Sequence, residues 1–444
     1  MASTTPSKPS SGGLQTTTII AVVVVGILLI VGGIILGQAT PLLFPQQASA
    51  EAAQVDNLFH IMLVIGGAIF LLVQGLLVFS MWRFRARKGE TGDGEPIHGN
   101  TTLEIVWTAI PAVIVFVLTI LSWQVFNSLQ APKPGEASVV VAGARFNWAF
   151  TYNVPLSILG YEVDETLLPP DVKDDLADDG TVSITSATLY SYVNQPVALA
   201  MDARDVIHAF WVPAFRVKQD LIPGRTTTVR FTPTVADTYP SGIQCAELCG
   251  ANHGIMRADI VVAENEAEYN KLLTPILESR LFPPADPVVR GRAILESNVY
   301  PCYTCHVLSD LSSANWVGNV GPALDGVADR AATSRANATS QTAAEYLYTS
   351  IHEPGAYLVP GYGNLMPQLG VPECDVWAMV AYLATQSTSG SAPFEVVQPD
   401  VCIPQVSGPP GSEPPPAGEA TAEAAAETEV VPAEATAEAT AEGS

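Results

Sequence analysis

Three long apolar runs occupy the first third of the chain, and the pattern then changes twice. The first, "IIAVVVVGILLIVGGIIL" from Ile19 to Leu36, has no charge over 18 residues, just enough to cross a bilayer as a helix. A polar leader precedes it and the small-residue triplet Ala48-Ser49-Ala50 follows it, so a cleaved signal sequence and a retained span both fit. Residues 59–82 and 103–126 form clearer spans, with Trp82, Trp107 and Trp123 near their ends as interfacial anchors. Arg83, Arg85, Arg87 and Lys88 cluster in the loop between them. That predicts a cytoplasmic loop and places everything after about residue 127 outside.

From Ala137 to about Ala263 the runs shorten to β-type stretches such as "QPVALAMDA" and "TTTVRFTP", separated by Pro and Gly, which predicts a small sandwich or barrel. Residues 164–180 within it hold seven acids and one lysine and read as a solvated loop, with steering of a basic partner the lesser reading. Helical periodicity returns at "EAEYNKLLTPILESRL", read as the end of that domain running into a linker. A third unit opens with a helix for which Asp286 and Pro287 fit the cap and first turn, and closes with the helix "CDVWAMVAYLATQ". Beyond it lie Pro, Ala and Glu repeats with eight glutamates and no cation from Glu413 onward, a composition with too little to bury to fold. The predicted organisation is a leader with the first apolar segment (1–50), a transmembrane hairpin (51–127), a β domain (128–265), a linker (266–285), a helical domain (286–390) and a disordered tail (391–444).

Composition sharpens this picture. The 444 residues carry a formal net charge of -24 while the mean hydropathy is +0.27, which suits apolar spans joined to an acidic water-soluble portion. Nucleic-acid binding is disfavoured, because neutralising phosphates needs a basic patch. The six cysteines fall into three sets: Cys245 with Cys249, Cys302 with Cys305, and the isolated Cys374 and Cys402. The last two flank the final helix, and we expect a disulfide that ties the C-terminal segment back.

"CYTCH", Cys302 to His306, has the C-x-x-C-H spacing of c-type haem attachment. Two thiols at that spacing can form thioethers to one porphyrin, and the adjacent His306 then reaches the iron. For the sixth ligand Met366, in the Gly- and Pro-rich "PGYGNLMPQ", is preferred. Met379 lies in the apolar pattern of the last helix, and His352 reads as ordinary surface.

"CAELCGANHGIM", Cys245 to Met256, concentrates soft metal ligands. A zinc site would use Cys245, Cys249, His253 and one more histidine. Met256 argues against it, since thioethers favour copper, and a mononuclear blue-copper site would leave one cysteine surplus. Two thiolates bridging two coppers would use both, with His208 in "DVIHAFWVPAF" supplying a second imidazole.

Two resemblances follow from these residues. "CYTCH", "GNVGPAL" and "SIHEPGAYLVPGYGNLMPQ" resemble the class I cytochrome c fold over roughly residues 286–389. That implies an all-α domain in which the Pro322 carbonyl accepts from the proximal histidine. His208 with C-x-E-x-C-x-x-x-H-x-x-M resembles the binuclear copper-A centre of cytochrome c oxidase subunit II, which implies an all-β cupredoxin-like domain. By that resemblance Cys245 and Cys249 bridge the coppers, His208 and His253 bind one each, and Met256 and the Glu247 carbonyl are weaker ligands. The Glu247 carboxylate then reaches a magnesium ion at the boundary with the catalytic subunit. "HGNTTLEIVWTAIPAVI" resembles the family's second hairpin helix, and Glu104 matches the acid at the mouth of a proton path; an interfacial carboxylate that caps or snorkels is the other reading. The family's tryptophan for electron arrival is replaced by Phe146, which leaves Trp148 and neighbouring aromatics as the candidate patch.

Together these imply subunit II of a caa-type oxidase in a bacterial membrane, with its copper-A and haem c domains on the outer side. Its partners would be subunit I, other oxidase subunits and an electron donor protein or complex. Of the histidines, His60 alone lies in an evident span, so dioxygen chemistry would belong to another subunit. The alternatives are the corresponding subunit of a copper-A nitric oxide reductase and a membrane copper protein with no enzyme partner.

Overall fold

The computed structural model describes residues 16–404, less 87–88, 90–91, 93–98, 315, 317, 319, 389 and 391. Arg87, Lys88 and the tail from residue 405 lie outside the described residues. Among the described residues three helices are long and apolar enough to cross a membrane: α1 (Thr16–Gly37), α2 (Ala50–Arg83) and α3 (Thr101–Gln130). Their side chains are mostly exposed to whatever surrounds them, as a bilayer solvent requires. Helix α1 packs on α2 through small residues. A Cβ on Gly33 would meet the Val64 carbonyl at 2.5 Å, and Gly67 lies against Leu36 and Gly33. His60 Nδ1 donates to the Gly37 carbonyl at 2.9 Å and closes the upper end of this contact.

At 34 residues α2 is about 51 Å long, more than the apolar thickness of about 30 Å, so one end must leave the bilayer. Its first turns are built into the β domain. Buried Glu51 pairs with Lys133 and accepts from Thr232, and Asp56 takes a two-pronged contact from Arg216 at 2.8 and 2.9 Å. The preceding Ala48 and Ser49 are buried in the same seam: Ala48 bonds Ala214 and Thr234, while Ser49 Oγ donates to the Phe215 carbonyl and caps α2.

Ten strands form the β domain: β1 (Ala137–Ala144), β2 (Asn147–Pro155), β3 (Thr181–Ser186), β4 (Leu189–Tyr192), β5 (Val197–Ala203), β6 (His208–Val212), β7 (Val217–Leu221), β8 (Thr227–Phe231), β9 (Asp237–Cys245) and β10 (Arg257–Ala263). They make two five-stranded sheets, ordered β3-β2-β1-β5-β8 and β4-β10-β9-β6-β7. Alternation in "NWAFTYNVP" turns Trp148, Phe150, Tyr152 and Val154 inward from one sheet, and Phe210, Val212, Ile243 and Ile260 come from the other, closing a sandwich.

Three expectations are corrected here. The helix read at 266–281 is present as α4 (Glu266–Leu281), but it belongs to the β domain and not to a linker over 266–285: it buries Leu273, Leu277 and Leu281 against the sandwich, and their four-residue spacing makes one apolar stripe. The acidic stretch 164–180, read as a solvated loop, keeps most of its acids exposed but is partly helical and anchored. Leu168 and Val172 are buried, a short helix spans Pro170–Asp175, and Asp171 pairs with Arg280 of α4. The tail predicted to be disordered from 391 keeps its first residues in contact with the domain, because Cys402 is joined to Cys374.

The third domain is helical. Helix α5 (Pro287–Glu296) is capped by Asp286, which accepts from Val288 and Val289, as its sequence predicts. It crosses α7 (Glu373–Ala384) at Gly291, where a Cβ would fall 2.0 Å from the Ala378 carbonyl. Helix α6 (Ala343–His352) adds Tyr346 and Leu347 to the core. Met379 is in that core, and His352 is exposed and stacked on Tyr348.

A sulfur and imidazole cluster at one end of the sandwich

The sandwich brings four segments together at one end. His208 is the first residue of β6, and Cys245 is the last of β9, paired with Phe210 across the ladder. The chain then loops through Cys249 and a short turn at His253–Ile255 before Met256 leads into β10. The turn between β1 and β2 lies alongside, with Gly143 close enough to His208 that a Cβ would approach its ring at 3.4 Å.

Ligand atoms of His208, Cys245 and Cys249 all lie within 4.8 Å of one another. Each thiol faces one imidazole: Cys245 Sγ is 3.8 Å from His208 Nδ1, and Cys249 Sγ is 3.5 Å from His253 Nδ1. The two sulfurs are 3.9 Å apart, Met256 Sδ is 3.8 Å from Cys249, and Cys245 Sγ reaches the Glu247 carbonyl at 3.2 Å. This soft donor set fits copper, and the pairing of thiols with imidazoles fits two ions sharing both sulfurs. Cys245 is drawn well down, chiefly by its contact with Cys249 and then by His208 and backbone amides. Cys249 is pushed up by the same contact with Cys245 and by its burial.

Asp205 escaped the sequence reading, although it stands only three residues before His208. Its Oδ1 accepts from His208 Nε2 at 2.8 Å, which turns Nδ1 toward the thiol. Burial opposes charge on this ring, yet Asp205 and Cys245 together raise the His208 pKa. Arg145 donates to the Cys249 carbonyl at 3.1 Å and so pins the loop to the β1–β2 turn. Trp148 is fully buried, edge-on to His208 and Phe210. It forms a wall of the cluster, and the reading of it as a surface point of electron arrival is corrected, because strand alternation turns its side chain into the core. Phe146 is buried as well.

The third domain holds a mainly apolar cleft lined by Cys302, Cys305, His306, Pro322 and Met366. Both cysteines are free thiols. His306 Nδ1 donates to the Pro322 carbonyl at 2.7 Å, and burial keeps the ring neutral by lowering its pKa. A Cβ on Gly321 would strike the His306 ring at 2.5 Å, so the ring is gripped between its own loop and the cleft. These residues fit a porphyrin held through two thioethers and an imidazole, with Met366 lining the same cleft. Glu247 and Glu104 are both exposed, Glu247 on the cluster loop and Glu104 in the first turn of α3.

The family description "Cytochrome C oxidase subunit II, transmembrane domain" matches residues 37–125, which takes in α2 and α3 and leaves α1 outside. "Cytochrome C oxidase subunit II, periplasmic domain" matches residues 138–264, the sandwich. "Cytochrome c oxidase subunit 2" of Thermostichus vulcanus is 43% identical over 249 residues, covering 50% of this chain and 74% of that protein. Its counterpart in Synechocystis is 39% identical over 248 residues, covering 51% and 74%. The protein of the same name in Alkalihalophilus pseudofirmus is 26% identical over 335 residues, covering 74% of this chain and 85% of its own length. A match of that extent necessarily runs past the sandwich into the helical domain. Identity of 43% across 74% of a relative reflects common descent of the membrane hairpin and the copper-binding sandwich alike, and this chain belongs to the cytochrome c oxidase subunit II family.

Proposed function

We propose that this chain receives electrons for a respiratory terminal oxidase through a covalent haem c in its third domain. They pass to binuclear copper A in the sandwich and on to subunit I, which reduces dioxygen to water. The observation that carries this reading is the presence, in one chain, of the paired thiol and imidazole cluster and of a cleft lined by Cys302, Cys305, His306 and Met366. Cys245, Cys249, His208, His253, Met256 and the Glu247 carbonyl would hold the coppers. Cys302 and Cys305 would carry the porphyrin, with His306 and Met366 on the iron. When bound, the two groups supply one-electron transfer without chemistry on a substrate.

The chain's own residues hold those donors still. Asp205 fixes the His208 ring, Pro322 fixes His306, and burial of Met256 and Cys249 keeps water out. A rigid, dry site changes little between redox states, which suits relay.

On the cluster loop Leu248 is 80% exposed beside the exposed Glu247, and Ile255 is 51% exposed. Such projecting apolar residues suit contact with subunit I, where the Glu247 carboxylate would reach magnesium. Capping does not account for Glu104, because Asn100 accepts from Leu103 and caps α3; we assign Glu104 to the mouth of a proton path. We also infer that α1 is retained, giving a multi-pass protein of a bacterial cell membrane with both domains on the outer side. Its glycine contacts with α2 and the burial of Ala48 and Ser49 support this.

Turnover of the purified complex tests the reading. It is expected to consume dioxygen with an artificial reductant and no added cytochrome c. Loss of that turnover on deleting residues 286–444 supports the haem domain as the input, and unchanged turnover refutes it. Consumption of nitric oxide in place of dioxygen would mark a reductase instead.

A further inference from the structure

The third domain does not hang free on its connecting segment. It sits on the metal-cluster end of the sandwich, and the contacts there are specific. Asn252, the residue before His253, donates from Nδ2 to the Thr304 carbonyl at 2.6 Å. Thr304 stands between Cys302 and Cys305, is fully buried, and turns its own hydroxyl to the Pro301 carbonyl at 2.7 Å. From the first residue of β2, next to the β1–β2 turn, buried Asn147 donates from Nδ2 to the carbonyls of Asn298 and Val299 at 3.2 and 3.1 Å and accepts from Tyr303 at 3.4 Å. Cys305 packs against the apolar core of the sandwich. Farther out, Arg204 reaches the Leu369 carbonyl at 3.4 Å.

One amide comes from the cluster loop and the other from the start of β2 beside it, and they grip backbone carbonyls on either side of Cys302 and within the Cys302–Cys305 pair. Backbone carbonyls cannot swing away as side chains do, so this seating fixes distance as well as orientation. We propose that Asn252 and Asn147 are positioning residues that clamp the Cys302–His306 segment onto the copper loop, with Asn252 linking the residue beside His253 directly to the peptide between the two cysteines. The proposal rests on the haem c and copper-A reading above and adds to it the parts that hold the two sites in register. Because the clamp is made of neutral amides and carbonyls, the internal step should not respond to salt, unlike a docking steered by charge.

The test uses the complete oxidase complex, wild type and Asn252→Leu, with Asn147→Leu/Asn252→Leu as the stronger variant. Copper-A and haem c absorption is recorded first. A wild-type complex lacking covalent haem absorption defeats the underlying reading, whereas intact spectra in all three forms isolate the clamp. Amide hydrogen exchange in residues 250–256 and 298–306 is expected to rise about fivefold in the single variant, the equivalent of one hydrogen bond, and more in the double variant. Flash-initiated electron transfer from haem c to copper A is expected to slow in the same order, and in the wild type to stay within twofold between low and high salt. Exchange within twofold of wild type in both segments overturns the proposal. So does faster exchange with an unchanged transfer rate, or a wild-type rate that falls severalfold with salt. If Asn252→Leu loses its copper-A absorption, the wild-type salt series and Asn147→Leu alone decide.

Discussion

The Asp205 carboxylate holds His208 Nε2 at 2.8 Å and thereby leaves Nδ1 of the same ring facing the Cys245 thiol at 3.8 Å. The carboxylate also accepts from the Arg145 and Val206 amides; burial raises its pKa, but the His208 bond and then these amides hold it down. Removing it in Asp205→Ala leaves a buried imidazole N–H without its acceptor and a ring free to turn. Copper affinity should fall roughly 10- to 100-fold, measured by competition with a chelator. Asp205→Asn, which keeps an acceptor, should lose less. Equal affinity for wild type and Asp205→Ala would remove Asp205 from the site.

Copper loading should depend on pH through the two thiols. Contact with Cys249, then His208, draws the Cys245 thiol well down. Cys249 is pushed up by the same contact and by its burial. Copper held by both sulfurs would take them as thiolates, so loading would expel the proton that the pair retains. Affinity should therefore weaken as pH falls, by about tenfold per unit for each proton displaced. Proton release on adding copper to the metal-free protein, read in two buffers of different ionisation heat, checks this; loading without release would contradict it.

The Cys374–Cys402 bond closes a loop of 28 residues between the last helix and the segment beyond it. In the loop-entropy description such a link stabilises by about 3 to 4 kcal/mol. Reduction, or Cys374→Ser, should lower the melting temperature of the helical domain and release residues 392–404 to proteolysis. An unchanged melt, or two cysteines that alkylate without reductant, would end this assignment.

Helix α1 should be present in the mature protein. Gly33 and Gly67 let α1 and α2 approach closely, and His60 bonds the Gly37 carbonyl. Cleavage after Ala50 would also remove Ser49, which caps α2. Intact mass spectrometry of the purified subunit should give a chain that includes residues 16–37. A chain starting at Glu51 would refute this.

Much of this protein is legible in one dimension because its chemistry is local. The Cys302–His306 signature and the run from Cys245 to Met256 each place several donors within a few residues, and backbone geometry leaves them little room to diverge. The membrane spans are legible for a related reason, since length and apolarity alone satisfy a bilayer. Asp286 as a cap belongs here too, because a cap acts on the next turn of its own helix. Trp148 did not read correctly, since its type suggests a surface aromatic and only strand alternation within a closed sandwich buries it.

By itself the sequence determined the three apolar spans, the β and helical domains, and the donors of both candidate metal sites, all set by periodicity or short spacing. Only the tertiary structure decided the rest. It packed the Glu266–Leu281 helix onto the sandwich, set Asp205 behind His208, and buried the Ala48-Ser49 seam. It also laid the segment around Thr304 onto the loop carrying His253. The physical reason is that these are pairings of residues distant in the chain, made by neutral amides, carbonyls and apolar surfaces that carry no spacing signature until the sandwich closes and brings them into contact.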